Sequence, residues 1–300
     1  MSTSGVTTPL EIALGDFARA LSREPVTFGH TLVGEPLLHR DVIAERADEW
    51  PARWVEHHVA DLPLLLPDGE ARSLDEGSGD IIRGLDVNGC WIVMWFVETL
   101  PGYRALLDQC LDQVADVVAE RDSRMGDRGA NLFLGSPRAV TPAHFDRHHN
   151  LLLQVQGTKD VTIGVFEDPA TAQVEIERPF GQQHNLTRLP ERQTTFHLEP
   201  GDGLYIPPYA FHWVQGGPET SVSLSCGFRS PTSERTQLVH VCNVALRRRG
   251  LSPSPPGVSQ PADRAKAALV QSRRALNRLP AEARRLARSR SFARPLRRAR

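Results

Sequence analysis

Cysteine is scarce in this sequence of 300 residues. Cys90, Cys110, Cys226 and Cys242 lie far apart, and no two form a C-x-x-C pair. That spacing speaks against a sulfur-rich structural zinc site, whose thiolates come in close pairs. The first three sit inside apolar segments, where a reduced cysteine behaves as a small hydrophobe. The expectation is reduced core thiols and a cytoplasmic address. Long hydrophobic runs are missing as well. The longest, Cys90–Val97, falls far short of the ~20 apolar residues that span a bilayer. Met1–Pro9 has neither the basic region nor the apolar core of an export signal.

Net charge is also nearly absent, at −1, but the balance hides an asymmetry. Residues 247–300 hold sixteen Arg or Lys against two acids, Asp263 and Glu282, an excess of fourteen positive charges. The remainder of the chain therefore carries fifteen net negative charges. Such a break marks a domain edge, and a basic segment calls for an acidic partner. Nucleic acid, a membrane surface, the protein's own acidic body and a second subunit all stay open.

What is present begins with a mixed N-terminal region. Asp41–Trp54 reads as a helix, and Leu66–Gly84, rich in Pro, Asp and Gly, as a loop. Cys90–Val97 has the length and β-favouring residues of a buried strand. Apolar residues then recur at helical spacing from Leu106 to Val118, with Asp108, Asp112 and Asp116 on the other face. From Ala130 to Phe228 short β segments alternate with turns: 131–134, 143–145, 151–155, 160–166, 194–198, 203–206, 213–215 and 221–228. Many short strands with Gly/Pro punctuation predict a sandwich or barrel, a class that includes jelly rolls and cupins. Gly157 and Thr158 predict a tight hairpin between two of these strands. Leu251–Ala262, with four prolines, reads as a linker, and Ala265, Ala268, Leu269, Leu276 and Leu279 form a weak helical stripe beyond it.

The informative string runs from Thr141 to Asn150, T-P-A-H-F-D-R-H-H-N. On a strand, His144 and Asp146 leave the same face. His212 lies far downstream, after G-D-G-L-Y-I-P-P at 201–208. Distant strands converge in a barrel, so these three can meet at one metal. Two imidazoles and a carboxylate on one face of an octahedron suit iron(II), because three positions stay open. An H-x-D pair alone is weak, and His148 and His149 read equally well as surface residues. His184, His197 and His240 have no evident partner in the sequence.

Taken together, T-P-A-H-F-D at 141–146, Asn150, Q-x-x-G-x-K at 154–159 and G-D-G-L-Y-I-P-P ahead of His212 resemble the JmjC branch of the cupin superfamily. The likeness is nearest to the asparaginyl hydroxylases of hypoxia-inducible factor. His30–Leu38 and Trp91–Val118 look like the lead-in of bacterial cupin-like JmjC proteins. The resemblance implies a mainly β fold: a double-stranded β-helix of jelly-roll type, with N-terminal helices around it and a helical, basic C-terminal tail. With the charge break and the proline-rich stretch, it divides the chain into a lead-in at 1–125, a catalytic core at 126–245, a Pro-rich linker at 246–262 and an Arg-rich tail at 263–300. It implies an Fe(II)- and 2-oxoglutarate-dependent dioxygenase that uses O2 to hydroxylate an unactivated C–H bond, expected on a peptide or protein side chain.

By the same resemblance His144, Asp146 and His212 are the iron ligands, and Lys159 pairs with the distal carboxylate of 2-oxoglutarate. Thr141 and Asn150 add hydrogen bonds near the cosubstrate. An ammonium inside a barrel needs an anion, which agrees with the lysine's role; the alternative is a solvated hairpin lysine. One departure stands out: where the hydroxylases carry an asparagine on the last core strand, Ser225 occupies the equivalent place. A small-molecule hydroxylase, a non-catalytic cupin scaffold and a nucleic-acid-associated protein acting through its tail are the other readings.

Overall fold

The computed structural model describes residues 8–66, 77–178 and 185–278. The chain divides into two compact units, Met1–Ser233 and Glu234–Arg300. Twelve strands are found among the described residues of the first. They are β1 (Leu10–Glu11), β2 (Val26–His30), β3 (Val55–Val59), β4 (Cys90–Met94), β5 (Gly126–Gly135), β6 (Val140–Phe145), β7 (His149–Gln156), β8 (Lys159–Val165), β9 (Arg192–Leu198), β10 (Asp202–Ile206), β11 (Phe211–Gly216) and β12 (Ser221–Arg229). They form an eight-stranded sheet of order β1-β2-β10-β7-β12-β5-β4-β3 and a four-stranded sheet of order β6-β11-β8-β9, all antiparallel. This is the mainly β, two-sheet architecture expected.

Helices cover the outer face of the large sheet. Phe17 from α1 (Leu14–Ala20), Ile43 from α2 (Arg40–Glu49), Ile81 from α3 (Ser78–Arg83) and Leu107 and Val114 from α4 (Tyr103–Asp122) join one apolar cluster with Ile92, Leu132, Leu151, Leu153 and Leu224. Because strand side chains alternate, the neighbours of these residues face the space between the sheets. There Leu152 packs with Val161, Ile163, Leu198, Leu204 and Ile206. Strands β7 and β12 are thus covered on both faces, and nearly every residue along them is buried.

Part of this inner row is polar. Ser223 donates to Gln154 (2.6 Å) and Ser225 to Asn150 (2.8 Å), both buried. Such groups are tolerated in a sheet interior because each is hydrogen-bonded.

Several expectations need correction. The helix over 41–54 stops at Glu49, with a short 3-10 turn at Ala52–Trp54, because Pro51 disfavours α geometry at Trp50. The strand at 90–97 stops at Met94: Phe96 takes φ 63°, and its N–H donates to Asn131 Oδ1 (3.1 Å). The loop at 66–84 contains helix α3, while residues 67–76 lie outside the described residues. Gly157 does turn, with φ 64°, but β7 and β8 belong to different sheets, so the turn crosses between layers and makes no hairpin. A Cβ on Gly157 would sit 2.5 Å from the Thr220 carbonyl oxygen, so glycine is required there. Helix α5 (Pro169–Glu177) is not among the expected elements, although Asp168 caps Ala170 N–H and Thr171 N–H and proline opens the first turn.

Helix α6 (Pro231–Arg247) runs from the end of the first unit into the second, which also holds α7 (Gln260–Arg278). Asp263 accepts from Gly257 N–H at the start of α7. Leu269 and Leu276 of the expected stripe are exposed, and Leu279 lies outside the described residues. No helix among the described residues is long and apolar enough to cross a membrane. All four cysteines are buried thiols, and none is in a disulfide.

Candidate metal and cosubstrate site

Strand β6 carries His144 and ends one residue before Asp146, while His212 on β11 lies directly opposite His144 in the ladder. Register therefore brings together residues separated by more than sixty positions in the chain. One ligand atom from each of the three lies within 4.8 Å of the others. The two imidazole rings are 4.2 Å apart, and His212 Nε2 is 3.8 Å from Asp146 Oδ2.

Backbone carbonyls orient both histidines. Pro142 O lies 2.7 Å from His144 Nδ1, and Ala210 O lies 2.9 Å from His212 Nδ1. A carbonyl accepts only from N–H, so each ring keeps its proton on Nδ1 and presents the Nε2 lone pair. Burial, and then His144 close by, push His212 down to about 4, so it is neutral and able to ligate at neutral pH. Tyr209 N–H donates to Asp146 O (2.6 Å) and pins the chain that carries the carboxylate. Two imidazole nitrogens and one carboxylate, with no fourth protein ligand in the group, fit a metal with open coordination positions and not a closed structural site.

The triad borders a cavity of about 240 Å³. Thr141, His144, Asp146, Asn150 and Ser225 line it, whereas His212 is buried behind the wall. Lys159 instead lines a smaller neighbouring space of about 30 Å³, which shares Thr141, Trp91 and Phe133 with the first. The lysine is 6% exposed, and burial alone pulls it down to about 8. No acid lines its pocket among the described residues. It is no solvated hairpin lysine. Its ammonium is held in a place that an anion would stabilise.

His148 lines the cavity, and His149 is fully buried between Tyr205 OH (2.8 Å) and Ser230 Oγ (3.0 Å), so neither is a free surface residue. His197 pairs with Asp160 (2.7 Å) on the surface, His240 lies on α6, and His184 falls outside the described residues. Sequence reasoning missed the opposite wall. Glu56 and His58 come from β3, Trp91 and Val93 from β4, Trp95 just beyond it, and Asn131 and Phe133 from β5. The alternation W-x-V-x-W at 91–95 was its available signal, since residues two apart share a face.

Residues 107–236 match the JmjC domain family. That stretch of the chain is similar to a JmjC domain. Two relatives resemble part of the chain: the lysine-specific demethylase JMJ30 of Arabidopsis thaliana is 31% identical over 109 residues, covering 33% of this chain and 25% of that protein. The Jumonji C domain-containing protein 5 of Drosophila melanogaster is 31% identical over 104 residues, covering 30% and 26% respectively. The chain thus spans about a quarter of the length of these relatives. The structure of Escherichia coli ycfD shares the fold, with a TM-score of 0.52 at 19% identity, over 91% of this chain and 69% of that one. The JmjC match includes the triad, Lys159 and Ser225, and excludes β3 and β4.

Proposed function

We propose that this chain is an Fe(II)- and 2-oxoglutarate-dependent dioxygenase that hydroxylates an unactivated C–H bond of a peptide or protein side chain. The observation that carries the reading is the His144–Asp146–His212 cluster on a cavity wall, with the unpartnered ammonium of Lys159 in the adjoining pocket. In this reading the three cluster residues hold iron, and Lys159 donates to the distal carboxylate of 2-oxoglutarate. Thr141 and Asn150 hydrogen-bond the cosubstrate, and Ser225 holds Asn150 in place. Bound iron would supply the coupling of O2 and 2-oxo-acid decarboxylation, to succinate and carbon dioxide, with oxygen insertion into the substrate. The chain's own residues orient the reactants and keep the cavity dry. A cavity of about 240 Å³ is below the ~300–1,000 Å³ of pockets that enclose drug-sized ligands. That favours one side chain entering from a larger substrate over a whole small molecule.

The test is anaerobic titration with iron(II), followed by succinate measurement from 2-oxoglutarate in air. One metal per chain and succinate formation are expected; stoichiometric metal without any succinate would leave a non-catalytic cupin scaffold. Four buried thiols outside any disulfide support a reducing, cytoplasmic setting. For the segment 263–300 we propose a role apart from the chemistry, in polyanion binding or homodimerisation. The exposed Leu269 and Leu276 of α7 lie among Arg264, Arg273 and Arg274, which supports either role. Truncation after Arg249 is expected to keep metal binding. A heparin affinity that falls steeply with salt and vanishes on truncation would identify the polyanion, and a halved mass would identify the dimer.

A further inference from the structure

Outside the cavity, half-buried Trp50 and Trp54 stand in a row with exposed Phe96. Trp50 closes α2, Trp54 belongs to the 3-10 turn that follows, and Phe96 lies just beyond β4. The Trp50 and Trp54 rings are 5.4 Å apart at 54°, and the Trp54 and Phe96 rings 5.8 Å apart at 66°. Hydrogen bonds tie the row together: Trp50 Nε1 donates to Trp95 O (3.2 Å), and Trp95 N–H to Trp54 O (2.8 Å). The row also meets the rim of the metal cavity. Trp95 lines that cavity, as does Asn131, which accepts from Phe96 N–H.

Two observations set this row apart from ordinary packing. Phe96 holds φ 63°, a left-handed conformation rare for a bulky side chain, yet its ring is 49% exposed, so burial does not compensate for the strain. Strain of this kind concentrates where a side chain is held ready for a ligand. Arg53 sets its guanidinium 4.7 Å from the Trp54 ring centre, and neither it nor the Trp54 indole N–H meets an acceptor among the described residues. Side chains of Trp, Arg and Phe accept no ordinary hydrogen bond. They offer ring faces and donors alone.

That combination is complementary to a chain that is apolar and rich in acceptors but poor in donors. A proline-rich segment meets the description: proline has no N–H, and the polyproline II helix leaves its carbonyls unbonded. Its rings pack against aromatic faces, and little ordering entropy is lost on docking. We propose that Trp50, Trp54 and Phe96 form a docking surface for a proline-rich segment of a partner protein, with Trp54 Nε1 and Arg53 donating to its carbonyls. Docking there places the partner at the rim of the metal cavity. Nucleotide bases also stack on such rings, but the chain outside residues 247–300 carries fifteen net negative charges, which repel a phosphate backbone.

The full-length protein is titrated calorimetrically with hexaproline blocked at both ends, with a Gly-Ser hexapeptide blocked in the same way, and with hexauridylate. Hexaproline is expected to bind at least about tenfold tighter than either, because it is preorganised and carries the rings. Trp54→Phe keeps a ring and removes the N–H, so it should weaken hexaproline about three- to tenfold, as the loss of one hydrogen bond does. Phe96→Gly should abolish the binding while the melting temperature holds, since glycine adopts a positive φ without strain. Hexaproline bound no tighter than the Gly-Ser peptide, or not at all, overturns the proposal. So does an affinity that both variants retain, and so does tighter binding of hexauridylate, which would give the surface to nucleic acid. The titration needs neither iron nor turnover, so its failure leaves the oxygenase reading to stand or fall on succinate formation.

Discussion

The two faces of the large sheet use the same strands for opposite ends. On β12, Val222, Leu224, Cys226 and Phe228 point outward into the cluster capped by α1 and α4, while Ser223 and Ser225 point inward to buried polar partners. On β4, Cys90, Ile92 and Met94 point outward, while Trp91 and Val93 line the cavity. One residue of register separates a position that holds the fold from one that meets the ligands. The outer row is expected to govern stability, and the inner row and its facing sheet to govern binding. Substitutions on each face can break that division.

The largest effect belongs to the cluster. His144→Ala or Asp146→Ala should lower metal affinity by more than the ~10–100-fold typical of losing a residue that supports a ligand, and should abolish succinate formation. The melting temperature of the metal-free protein should barely move. Stoichiometric iron retained by either variant, measured by metal analysis after gel filtration, would remove these residues from the ligand set.

Next comes Lys159. Lys159→Ala should leave iron bound and raise the Michaelis constant for 2-oxoglutarate by about 100-fold or more, because losing one member of a buried charge pair costs ~3–5 kcal/mol. The wild type adds a pH signature. A dicarboxylate favours the charged ammonium, so binding takes up a proton once the free lysine has lost its own. Affinity should be level below about pH 8 and fall as pH rises through that value. Calorimetric titration at pH 7 and pH 9 reads this directly, and the Ala variant should lack the dependence. An unchanged cosubstrate requirement would move the anchor to another cation.

The outer row gives the converse result. Leu151 is fully buried against the helices, and Leu151→Ala should cost about 2–5 kcal/mol of stability with little change in metal or 2-oxoglutarate affinity below its melting point. A large loss of cosubstrate binding in the folded variant would show that the two faces are coupled.

What the sequence disclosed follows the same division. Eight of the core strands were legible because β-favouring residues and turn residues are local signals. The triad was legible because H-x-D is local and the last histidine follows its own motif. The wall formed by β3 and β4 was not. It depends on Glu56 and His58 pairing across to Val93 and Trp91, a non-local register that nothing in V-E-H-H-V announces. Likewise Gly157 signalled a turn, but a turn within a sheet and a turn between sheets look alike in sequence.

Ser225 offers the smallest effect and the finest test of the division, because it sits on a strand whose outer row is structural while its own side chain faces the cavity. Its hydroxyl donates to Asn150 Oδ1 within the inner row. Ser225→Ala leaves that oxygen buried without its donor, at a cost of about 1–3 kcal/mol, so a modest drop in melting temperature is expected. If Asn150 then turns away from the cosubstrate, the Michaelis constant for 2-oxoglutarate should rise a few-fold while iron stays bound. The companion change Asn150→Ala separates the two roles. Should Ser225 act through Asn150, adding Ser225→Ala to Asn150→Ala would do nothing further to cosubstrate affinity, since coupled neighbours are non-additive. Additive losses would instead mean that Ser225 meets the cosubstrate by itself.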